Sequence, residues 1–140
     1  MLFVGLFLSA ACTKEPAAPT PSLLGRWNQE DGTFYGYNAQ GQLLQTSPAP
    51  TSPPQFYLEI TDLTIAHYSE VTGPNGFTQL IVPPSPYTRQ GSILRYANGV
   101  ELTIVELTAN SLTLRSSKVV VVFEPLTGVQ QRMSELHYRR

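Results

Sequence analysis

SILRYANGVELTIVELTANSLTLRSS, residues 92–117, decides the fold class. Leu102 and Ile104 alternate with Glu101 and Thr103, and Leu112 and Leu114 alternate with Ser111, Thr113 and Arg115. A period of two sends one set of side chains to a core and the other to water, as in a half-buried strand. Asn98-Gly99 separates the first two runs, and both residues tolerate positive φ, so the spacing predicts a tight hairpin. Thr108-Ala109-Asn110 predicts the next reversal. Three adjacent runs joined by short turns form an antiparallel meander.

The pattern extends in both directions. Phe56, Leu58 and Ile60 alternate with Tyr57, Glu59 and Thr61. Pro74-Asn75-Gly76 divides LTIAHYSE from FTQLIV, and Asp31-Gly32, Gln40-Gly41 and Thr127-Gly128 are further turn candidates. VVVVF at 119–123 is apolar on both faces, which predicts a central or doubly covered strand. Prolines at 48, 50, 53, 54, 83, 84, 86 and 125 interrupt any long helical periodicity. The expected strands are 24–30, 33–38, 41–46, 55–61, 63–69, 77–82, 87–90, 92–97, 100–107, 111–117, 118–125 and 129–138. The prolines of 46–54 and 83–86 predict longer loops at a barrel mouth. The fold class is all-β. A long meander exposes two edges, and closing it into a β-barrel of about eight strands removes them.

The 140 residues divide into three segments. The run LFVGLFLSAA at 2–11 is too short to cross a hydrocarbon core of roughly 30 Å as a helix. It fits the apolar part of a secretory signal, and Ser9-Ala10-Ala11 supplies the small residues that cleavage requires. Small residues leading into Cys12 resemble the lipobox of bacterial lipoproteins. That resemblance implies a signal over 1–11, a diacylglycerol thioether on Cys12 and an acylated new amino terminus. A buried thiol, or cleavage elsewhere, is the plainer reading of the same residues. TKEPAAPTPS at 13–22 is Pro- and Ala-rich without periodicity and reads as a tether, so 12–22 links the anchor to a barrel domain over 23–140. Two or more acyl chains hold a protein stably on a membrane. The localisation this order implies is the bacterial cell envelope, at the outer membrane.

Composition narrows the partners. The net charge is −1 and only 14% of residues are charged, so no basic face points to nucleic acid. One cysteine forms no internal disulfide. His67 and His137 lack a second His or Cys at ligand spacing, so no metal is expected. No Gly-x-Ser-x-Gly elbow and no phosphate-binding loop occurs, so neither a cofactor nor an enzyme is expected.

Leu23-Leu24-Gly25-Arg26-Trp27 carries the Gly-x-Trp that opens the first strand of lipocalins. With YTRQGSIL at 87–94, the turn Asn98-Gly99 and VELTANSLTLR at 105–115, the body resembles lipocalin-like bacterial lipoproteins. The resemblance implies a basic residue of the last strand, Arg132 or Arg139, stacked over Trp27 at the closed barrel end. From the residues alone, Gly25 permits close approach of a backbone or ring, and Trp27 buries a large area and needs a partner for its N–H. An ordinary buried Trp with solvated arginines fits equally well.

Aromatics are spread over the expected strands. In a hollow barrel Phe34, Tyr37, Phe56, Leu58 and Tyr96 would line a pocket for a small apolar ligand, and in a filled barrel they are core. The expectation is a lipid-anchored, non-catalytic binding protein that meets the membrane through its anchor. The alternative is an envelope protein-interaction module, or a hydrolase-inhibitor-like lipoprotein, with a filled barrel.

Overall fold

The computed structural model describes residues 20–51, 54–121 and 128–140. The segment 1–11, Cys12 and most of the 12–22 tether lie outside the described residues. Those described contain no helix and ten strands: β1 (Gly25–Tyr37), β2 (Leu43–Pro48), β3 (Gln55–Ile60), β4 (Thr64–Val71), β5 (Phe77–Gln90), β6 (Ile93–Tyr96), β7 (Glu101–Leu107), β8 (Ser111–Ser116), β9 (Val119–Val120) and β10 (Gln131–Arg139).

All pairings are antiparallel. The sheet runs β1-β3-β4-β5-β6-β7-β8-β10, and β10 pairs back onto β1 from Asn28↔Arg139 to Tyr37↔Gln131. The eight strands form the closed barrel expected of the meander. β2 and β9 are extra strands, laid on β1 at Thr33–Tyr37 and on β10 at Gln131 and Arg132.

Two expected breaks are not breaks. Asp31-Gly32 does not turn the chain. The runs 24–30 and 33–38 merge into β1, with a bulge between Gln29 and Asp31. The glycine instead answers a close approach. A Cβ on Gly32 would stand 2.5 Å from the Glu135 carbonyl oxygen of β10. Likewise 77–82 and 87–90 merge into β5 through Pro83, Pro84 and Pro86, with no loop. β5 pairs with β4 over Phe77–Pro86 but with β6 only over Tyr87–Gln90. Among the described residues its other edge is unpaired along the prolines, where a missing N–H costs no ladder bond. The described part of the 119–123 run is not central, and residues 122 and 123 lie outside the described residues. Val119–Val120 forms the short outer strand β9, and Val120 is exposed.

The core gathers Leu23, Trp27, Leu58, Ile60, Ile65, Leu94, Leu112, Leu114 and Tyr138, with Tyr87, Tyr96, Leu102, Ile104, Leu107 and Leu136 packed against it. Cross-strand ion pairs decorate the outer wall. Arg95 meets its register partner Glu101 at 2.6 Å, and His137 Nδ1 meets its partner Asp31 at 2.6 Å. Such pairs contribute fractions of a kcal/mol each and help hold register.

Candidate functional site: a partly hollow barrel

One end of the barrel is sealed around Trp27, which is fully buried. Its indole N–H donates to the Leu23 carbonyl at 2.7 Å. That bond ties the segment before β1 across the barrel bottom. The guanidinium of Arg140 lies 3.9 Å from the ring centroid and also donates to the Ser22 carbonyl. The stacking cation is thus Arg140, not Arg132 or Arg139. Arg139 reaches Glu30 on the outer wall at 3.3 Å, and Arg132 borders a shallow hollow with Phe34 and Val129. The register explains the choice. Arg139 is already paired opposite Asn28, so only the next residue projects past the strand end toward the indole. Gly25 also differs from expectation. A Cβ there would meet nothing within 4 Å, so the need for glycine comes from its φ of 119°.

Above this seal, one row of register partners crosses four strands: Trp27↔Leu58, Leu58↔His67 and His67↔Val82. Trp27 and Leu58 are core, and beyond them two hollows open to solvent among the described residues. An open cleft of ≈ 370 Å³ is walled by His67, Val82, Pro86, Tyr96, Val100 and Leu102. It lies where β5 parts from the β6–β7 hairpin and the wall loses a strand pairing. A second hollow of ≈ 220 Å³ is walled by Phe56, Leu58, Ile81 and Tyr138, and again by His67 and Val82. The shared pair marks the junction of the two spaces.

The five expected pocket residues are not brought together. Phe56 and Leu58 line the smaller hollow and Tyr96 the larger. Phe34 borders the separate hollow beside Arg132, and Tyr37 lies under Lys118, whose Nζ is 3.9 Å from the ring centroid. The residues missed were His67, Val82 and Tyr138. For His67 no sequence signal existed, because Ile65 and Ala66 on opposite parities are both buried and the register shifts between Ile65 and His67.

Charge is sparse in this interior. Among the described residues that line the two hollows there is no Lys, Arg, Asp or Glu. Burial lowers the His67 pKa below its ordinary value of 6.5, which favours a neutral imidazole. Burial, and then the neighbouring Tyr87, push the Tyr96 phenol up to about 12. Burial, and then Tyr96, also raise Tyr138. All three groups are uncharged at neutral pH. The Tyr96 hydroxyl is buried with no hydrogen-bond partner. Among the described residues no group of three or more His, Cys, Asp or Glu side chains is placed to hold a metal ion.

The rim of the opening is apolar. Ile81 and Val82 of β5, which line the hollows, are partly exposed, and Phe77 and Leu80 further along the strand are exposed too. No charged residue occurs between Glu70 and Arg89. The barrel can therefore admit an apolar molecule past an uncharged lip, into a space with a few hydrogen-bonding groups at fixed places. Searches against protein-family models, curated proteins and solved structures found no match to the chain.

Proposed function

We propose that the chain is a lipid-anchored protein of the bacterial cell envelope, held at the outer membrane through Cys12, whose lipocalin-like barrel binds a small apolar ligand without transforming it. The observation that carries the binding reading is the pair of solvent-open hollows that meet at His67 and Val82. A space of ≈ 370 Å³ lies within the range of small-molecule sites. Neither a carboxylate nor a thiol among the described residues lines it, which favours holding over catalysis. The anchoring reading rests on the apolar run before Cys12 and the proline-rich tether after it.

Diphenylhexatriene, a hydrocarbon that fluoresces when it leaves water, tests the binding reading. The full chain should enhance its emission saturably. Val82→Trp, which fills the shared wall, should weaken binding by about tenfold while the far-ultraviolet spectrum stays unchanged. Absence of saturable binding by the unaltered protein refutes the reading. Anchoring is tested separately: Cys12→Ser should abolish palmitate labelling and membrane retention in a bacterial host.

A further inference from the structure

The polar groups of the interior carry more than the existence of a site. His67 stands in the wall of both hollows. Neither of its ring nitrogens has a hydrogen-bond or ion-pair partner among the described residues. The Tyr138 hydroxyl, in the wall of the smaller hollow, likewise has none. Both side chains line the smaller hollow, and Tyr138 is buried. Polar groups in a largely buried wall normally find a partner, so two unpaired side chains lining one hollow mark where a ligand atom completes the set.

We infer that the ligand is an uncharged apolar molecule carrying one hydrogen-bonding oxygen, a hydroxyl or carbonyl, seated between His67 and Tyr138. This inference rests on the binding reading above. The chemistry of the walls selects the class. A neutral imidazole offers one donor and one acceptor, and a phenol held protonated offers a donor. Together they satisfy a hydroxyl in both senses, or a carbonyl with two donors. An ionised carboxylate finds no Lys or Arg in either wall and would lose its hydration without a counter-ion. Protonating His67 to supply one works against the burial that lowers its pKa. A plain hydrocarbon enters but leaves the two polar groups unpaired, so the oxygen adds both affinity and orientation.

The test is displacement of diphenylhexatriene from the full chain at neutral pH by decan-1-ol, methyl decanoate and decanoate. The alcohol and the ester should displace the dye at concentrations about tenfold lower than the carboxylate. His67→Leu and Tyr138→Phe should each remove much of that advantage while the hydrocarbon dye still binds. If the dye binds but decanoate displaces it as well as decanol does, the inference is wrong and the binding reading survives. If the ten-carbon ligands discriminate but neither substitution changes the discrimination, the assignment to His67 and Tyr138 is overturned. If the unaltered protein binds neither dye nor ligand, both fall together.

Discussion

Barrel closure hangs on the β1–β10 seam, and Gly32→Ala tests it with one methyl group. The added Cβ would stand 2.5 Å from the Glu135 carbonyl oxygen, 2.6 Å from Leu136 Cδ2 and 3.0 Å from Leu136 Cα. Two of these three obstacles are backbone or Cα atoms of the partner strand. A rotamer change of Leu136 relieves only one, so β10 itself must move away from β1. Overpacking a well-packed site costs about 1–3 kcal/mol, and a clash with backbone belongs at the upper end, about 3 kcal/mol. For a body of this size each kcal/mol shifts Tm by roughly 4 °C, so the expected fall is on the order of 12 °C. Circular dichroism in the far ultraviolet during a slow thermal scan reads it directly. Two companion substitutions calibrate the result. Gly36→Ala meets chiefly the Val129 side chain, 2.8 Å from Cγ2, which can give way. Gly91→Ala meets nothing within 4 Å and bears only the left-handed cost of its φ of 61°, about 1–2 kcal/mol. The order of destabilisation should therefore place Gly32→Ala first. A Tm fall for Gly32→Ala no larger than for Gly91→Ala would refute the seam geometry. So would full recovery in the double variant with Leu136→Ala, because that would make the side chain the sole obstacle.

Trp27→Ala should cost about 3–5 kcal/mol in urea unfolding, since it empties the sealed end and orphans the Leu23 carbonyl; a loss under 1 kcal/mol would remove Trp27 from the core role. Arg140→Met keeps the aliphatic cover but removes the charge over the indole, and should cost about 0.5–1 kcal/mol. The single tryptophan of the chain reports that contact, so an unchanged fluorescence spectrum and an unchanged midpoint together would show that the stack contributes nothing. The His67 shift has a defined sign. Its folded pKa lies below the unfolded 6.5, so below that pH the unfolded chain takes up more protons than the folded one. Stability is then highest above pH 6.5 and declines as pH falls toward the lowered folded value. His67→Leu should flatten this part of the profile, and an identical acid limb in variant and parent would show that another group causes it.

Much of the architecture is local and therefore readable from residue order. Alternation such as Leu102-Thr103-Ile104 fixes a strand and its faces, and Asn98-Gly99 fixes a reversal, without knowledge of the rest of the chain. The misreadings fall where one residue type serves two ends. Gly32 can mark a turn or a close approach of backbones, and only the non-local pairing with β10 distinguishes them. Pro83 and Pro84 can end a strand or sit on its unpaired edge, and only the early end of β6 at Tyr96 leaves that edge free. The same fact governs the candidate site. Parity alone does not place His67, because Ile65 and the neighbouring Ala66 are both buried and the register shifts between Ile65 and His67. That the inward side is hollow at His67, yet filled by Leu58 and Trp27 in the same row, depends on four strands meeting in register and on a fifth that stops short. A histidine on an apolar face reads as a metal ligand or as core so long as each strand is taken alone. Seen across the row it becomes the polar member of an otherwise apolar wall, and that row is the smallest unit from which binding chemistry can be argued.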